Sequence, residues 1–348
     1  MRRRVRWDRV WALLLALLIL AGGIALTASG VPMMPSYLAA WLFLLAVPVG
    51  ALALVMGLEL AGAALLPVAA PLRRMLPLLP LAALFAVPVL LNPAALYGWT
   101  VHPLHGFAGV WFAQRFFIAR MAAGLVIWSI LALLFLRPPP PQKAAGRAGL
   151  ATLGLMLHFV IGSIAAFDWT MSLYLPLASS VFGLLLMAAQ CSLAASAAVL
   201  VTAVRRGICA TGAGFAALLA ALPGAWTFLH FTQFLVIWSA NKPEEADWYL
   251  HRSHGLGAAA EWLGLLAFIG ALTLLRRPVL PGLLAAVAAL LVFTHLIEML
   301  WLVTPSVRGR FTVSLADALA MLAAAVVAAA ILFTFQPRPR QGAGHGTA

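Results

Sequence analysis

HFTQFLVIWSANKPEEADWYL, residues 230–250, changes from apolar to charged at its midpoint. The first half is apolar enough to finish a membrane helix, which leaves the bilayer near Trp238. The second half holds Lys242, Glu244, Glu245 and Asp247. Asn241 stands three residues before Glu244, the spacing of a capping box, where two side chains satisfy each other's free backbone N–H groups. Pro243 suits a first helical turn, where an N–H has no partner to lose. Glu244 and Glu245 then face the positive end of the helix dipole. Trp248 and Tyr249 carry apolar rings with polar tips, the side chains of a membrane interface. The stretch predicts a membrane helix, a cap, and a short surface helix that docks a neighbour. The plainer alternative is a well-built loop.

Working outward, hydrophobic residues make up 64% of the chain and charged residues 9%. A soluble domain carries roughly 25% charged residues. The composition therefore predicts an all-α integral membrane protein, built as a single polytopic domain over residues 1–335 with a disordered tail at 336–348. The net charge of +13 does not indicate nucleic-acid binding, because the basic residues sit in short clusters between apolar runs. Cys191 and Cys209 are isolated and form no CxxCH or cysteine cluster, so neither attached haem nor an iron–sulfur centre is expected, and no cofactor is assigned.

A membrane span needs about 20 apolar residues, and about ten runs qualify. They lie near 10–28, 38–66, 75–92, 112–136, 150–167, 179–204, 211–238, 258–275, 279–304 and 314–335. A cleaved signal peptide is the alternative for the first. Arginines and lysines collect in alternate connections, at Arg2–Arg9, Arg73–Arg74, Arg137–Arg147, Arg205–Arg206, Arg276–Arg277 and Arg338–Arg340. The positive-inside rule then puts both termini in the cytoplasm and the 239–257 connection outside. Pro77, Pro80 and Pro88 predict a bent third span. Small residues around Gln190 and Cys191 predict close helix packing.

Ionisable residues inside spans are functional candidates, because an ionised group at a helix centre costs about 2.5–3.5 kcal/mol. Glu59, His158, His230, His295 and Glu298 qualify, with Asp168 at the outer rim and Arg120 deep enough to need a partner. Histidines and carboxylates can pass protons near neutral pH. His295 and Glu298 share one helix face, three residues apart. At least three of the six acids and histidines are expected to converge on one polar cavity, forming a proton path; the alternative is that each merely packs a helix. His102 and His105 have no further nearby ligand, so no metal site is expected.

FDWTMSL (167–173) and QFLVIWSANKPEEADWYL (233–250) together resemble the membrane subunit ActF of alternative complex III, related to the NrfD/polysulfide-reductase-like membrane subunits. FFIAR (116–120) before Ile127–Trp128, Gln190, and IEMLWLVTP (297–305) follow in the same order, so the resemblance spans roughly residues 35–305. It implies two four-helix bundles flanked by the first and last helices, in a bacterial inner membrane. It implies a quinol:cytochrome c oxidoreductase of the respiratory chain as the assembly, with an NrfD-like quinol-binding subunit, cytochrome c subunits and an iron–sulfur subunit as partners. This subunit would hold no redox centre and offer a proton path. The chain departs from the pattern in YLPLASSVFG (174–183) and at Ala113 and Arg115, where the family tends to have asparagine and proline. The rival functions are a stand-alone transporter and a purely structural anchor. A transporter predicts broken helices at matching places in two halves, and the proline-rich third span has no clear counterpart.

Overall fold

The computed structural model describes residues 33–140, 144–210, 212–275 and 280–334. The first predicted span, the N-terminal arginines, Arg276–Arg277 and the tail at 336–348 lie outside these residues.

Among the described residues all regular structure is helical, and nine helical segments are long and apolar enough to cross a membrane. The chain is a multi-span membrane protein. The spans begin with α1 (Met34–Leu60) and a second segment broken into α2 (Ala69–Met75), α3 (Leu78–Leu84) and α4 (Val87–Leu91). After a short α5 (Gly106–Trp111) come α6 (Gln114–Phe135), α7 (Ala144–Trp169), α8 (Phe182–Arg206) and α9 (Ala213–Ala240). The surface helix α10 (Pro243–Leu250) precedes α11 (Leu256–Thr273), α12 (Pro281–Arg308) and α13 (Leu315–Thr334).

The packing partners define two bundles of four spans. The first joins α1, the broken segment, α6 and α7; the second joins α8, α9, α11 and α12. Helices α1 and α8 form the seam between them, and α13 lies against α1. At the seam Gly50 of α1 meets the backbone of Gln190 so closely that an added Cβ would overlap its carbonyl group. Absence of a side chain lets the two helices approach, as the small residues around Gln190 predict.

The predicted bend is a double break. Pro77 precedes α3 and Pro88 opens α4, since proline cannot continue the backbone ladder. At the second break the Ala86 N–H donates to Ala83, which leaves the Ala82 carbonyl free. Trp41 of α1 supplies the missing donor, its Nε1 lying 2.8 Å from that oxygen. A neighbouring span thus satisfies the group that the bilayer could not.

The surface helix exists, but its cap differs from the expected one. Asn241 adopts φ 50° and ψ 39° and ends α9, its N–H bonded to Ile237, while extended Lys242 stands at the start of α10 with no side-chain cap. The chain must reverse between the two helices, and asparagine tolerates the left-handed conformation that the reversal needs. The reciprocal cap occurs instead at Ser314 and Asp317, whose side chains each accept from the other's backbone N–H, at 3.2 Å and 2.7 Å. Pro243, Glu244 and Glu245 do occupy the first turn of α10. Glu244 is exposed, and the Tyr174 hydroxyl donates to its carbonyl; Glu245 is buried against Lys242, 3.4 Å away. Trp248 is not an interfacial anchor: it is buried between Phe182 and Trp301, and Tyr249 is half-buried against Phe234.

Candidate functional site

Midway along α12, His295, Glu298 and Trp301 recur every three residues and so face one side of the helix. Helix α9 offers Trp226 and His230, one turn apart, to the same place, and α8 offers Ser192. Glu298 is the centre. Its Oε1 accepts from Trp226 Nε1 at 2.7 Å and lies 2.9 Å from His230 Nε2. Its Oε2 lies 2.6 Å from His295 Nδ1, and His295 Nε2 lies 2.9 Å from Ser192 Oγ.

An ionised carboxylate only accepts, so both facing ring nitrogens carry protons in that state. A neutral His295 then leaves Nε2 free to accept from the Ser192 hydroxyl; a protonated one donates to it. The His295 side chain is wholly enclosed, and that of Glu298 almost so, at 5% exposed. Three donors offset the cost of burying this charge, since hydrogen bonds to charged groups contribute about 1.5–3 kcal/mol each. The rings of Trp226 stand 5.0 Å from both His230 and His295 and fix their orientation.

Three of the six predicted acids and histidines therefore meet: His230, His295 and Glu298. The other three are elsewhere. Asp168, at the end of α7 in the first bundle, is fully buried and held by Arg120 through Nε at 2.9 Å and Nη2 at 3.0 Å. Trp111 Nε1 completes this set at 3.0 Å, and its ring lies under the guanidinium. Arg120 thus has the partner its depth demands. Glu59, at the far end of α1, is shared by Arg73 at 2.8 Å and by Arg147 at 2.9 and 3.0 Å. Arg147 and Asp168 stand 21 residues apart on α7, about 30 Å at the rise of an α-helix, so these two carboxylates mark opposite ends of the bundle. His158 is buried against Trp128 in the first bundle, with its Nδ1 unpartnered among the described residues. Sequence gives each residue's depth along its span but not which neighbour it faces, which is why the six-membered path resolves into separate sets.

Two members of the central set carry a signal that was readable: Trp226 precedes His230 by one turn, and Ser192 follows Gln190 on the seam helix. Arg252, in the connection between α10 and α11, is wholly buried. Among the described residues no group of three histidines, cysteines or acids is arranged to hold a metal ion.

Compared with known proteins, the chain matches no family model and no curated sequence.

Proposed function

We propose that this chain is the cofactor-free integral subunit of a quinol:cytochrome c oxidoreductase like alternative complex III, and that Glu298, His295 and His230 exchange protons within it. The convergence of these three groups carries the reading. Each step is short enough for direct transfer, about 2.6–3.2 Å: His230 Nε2 to Glu298 Oε1, Glu298 Oε2 to His295 Nδ1, and His295 Nε2 to Ser192 Oγ. Partners would be the quinol-binding, cytochrome c and iron–sulfur subunits, in a bacterial inner membrane with both termini cytoplasmic.

Access to the site is one-sided. Toward α10, Glu261 lies within electrostatic reach of His230, and the buried Tyr249 hydroxyl stands near Gln233 and Glu261. Ser179 donates to Gln233 at 3.2 Å. Toward the opposite end, residues 213–225 of α9 and 281–293 of α12 contain no polar side chain. Phe215, Leu219, Leu284, Val287 and Leu291 fill that half of the bundle. Its hydroxyls are spent on their own helices: Ser196 on the Ser192 carbonyl and Thr202 on that of Ala198. The site takes and returns protons at the α10 end, and crossing would require the apolar half to open.

Glu298→Gln tests the function. It keeps the side chain's shape and removes the ionisable proton, so the assembled complex should form while proton-coupled turnover falls. Unchanged turnover in an intact complex overturns the proposal. A structural role is favoured for Glu59 and Asp168, because arginines engage both oxygens of each carboxylate.

A further inference from the structure

At the end of the bundle opposite α10, the described residues carry six arginines (Arg73, Arg74, Arg137, Arg147, Arg205 and Arg206) and one carboxylate, Glu59. Arg73 and Arg147 consume that carboxylate. Arg74, Arg205 and Arg206 are left together. Helix α2, which bears Arg74, packs against both α8 and α13, and Arg74 lies within electrostatic reach of Arg205 and Arg206. Among the described residues Arg205 is not neutralised by an acid. Its Nη2 donates to the Leu332 and Phe333 carbonyls at 2.8 and 2.6 Å, capping the end of α13, and its buried Nε has no partner among them. Among the described residues neither Arg74 nor Arg206 has a hydrogen bond or an ion pair.

Arginines on two packed membrane segments, with one buried donor unspent, leave positive charge at this end that an anion can meet. Exposed Val204, Ile208 and Phe333 border it, apolar surface that acyl chains can cover. Basic pockets between membrane helices hold phosphate headgroups in this way, and the guanidinium fork matches phosphate oxygens. We propose that Arg74, Arg205 and Arg206 bind the phosphate of an anionic phospholipid, whose headgroup ties α2, α8 and α13 together.

The test is lipid titration of the full-length protein in mild detergent, read by native mass spectrometry, with phosphatidylglycerol, cardiolipin and phosphatidylcholine. Anionic lipid should be retained over phosphatidylcholine. In the double variant Arg74→Gln, Arg206→Gln its affinity should drop about 30-fold, each arginine contributing a factor of about five. Arg137→Gln, at the same end but outside the set, should change it little. Equal binding by the double variant, or an equal loss in Arg137→Gln, overturns the site. Displacement of the lipid by millimolar inorganic phosphate would make it a site for free phosphate and overturn the lipid assignment. If the double variant fails to fold, the exposed single change Arg206→Gln, with about a five-fold loss expected, carries the same decision.

Discussion

Arg252 Nε donates at 3.0 Å to the Trp301 carbonyl, the oxygen that Pro305 leaves without its partner one turn on. The same guanidinium reaches Trp248 O at 2.6 Å, Leu302 O at 3.0 Å and Ser306 Oγ at 2.7 Å, and lies 3.7 Å over the Trp248 ring. One arginine thus repairs the proline break in α12 and fastens the surface helix to it. Burial pulls this guanidinium down to about 9, which still leaves it charged at neutral pH.

Arg252→Gln should therefore destabilise the protein by about 3 kcal/mol, because more than one buried carbonyl loses its donor at about 1–3 kcal/mol each. Arg252→Lys should recover less than half of this, since a compact ammonium cannot span the same oxygens. Thermal unfolding in detergent measures both. A lysine variant as stable as the parent would show that charge alone suffices there.

Two glycines of α1 should respond in opposite ways. Gly50→Ala forces a methyl into the Gln190 carbonyl at the seam of the two bundles. Overpacking of this kind costs about 1–3 kcal/mol or more. Gly57 has nothing within 4 Å of where its Cβ would stand, so Gly57→Ala should be neutral or stabilising by up to about 1 kcal/mol from helix propensity. Similar melting temperatures for the two variants would contradict the tight crossing.

At the end of α9, Asn241 should accept glycine and resist β-branched residues, because its conformation is left-handed. Asn241→Val is expected to cost at least about 1–2 kcal/mol, and Glu244→Ala close to nothing. Ser314→Ala should cost about 1 kcal/mol by removing the cap of α13. A loss in Glu244→Ala matching that in Asn241→Val would restore a capping role for Glu244.

Hydropathy made the spans legible because the bilayer imposes one length on every helix. The bend at Pro77 and Pro88 was equally plain, since proline acts locally. Asn241 shows where local spacing misleads: the same residue type caps a helix start or ends a helix, and only the reversal between α9 and α10 decides which. His295 and Glu298 were visible as a pair because three residues bring side chains to one helix face. Trp226 shares a stripe with His230, and Ser192 lies on the seam helix, but both act across helices, as Arg252 does, and no periodicity within one span reports the rotation of its neighbour. Asp168 was visible as an acid at the end of its span, but its partner Arg120 is 48 residues away.

The one-sided access proposed for Glu298 is open to direct measurement. In a background with Cys191→Ala and Cys209→Ser, single cysteines would be placed along the second bundle and treated with a membrane-impermeant thiol reagent in sealed vesicles. Glu261→Cys sits on the exposed rim near the α10 end, and His230→Cys stands at a side chain that remains 23% exposed. Both should react when the α10 face meets the reagent and be protected when it faces inward. Leu284→Cys and Leu291→Cys lie in the buried apolar half and should be protected from both sides. A thiol reacts as the thiolate, which needs water around it, so protection reports the dry region directly. Labelling of Leu284→Cys or Leu291→Cys from the far face would mean that water reaches Glu298 through the apolar half. The site would then be a through-path, and the one-sided exchange would be wrong. Protection there together with labelling at His230→Cys from the α10 face alone would leave Glu298 as a proton site open to a single side of the membrane.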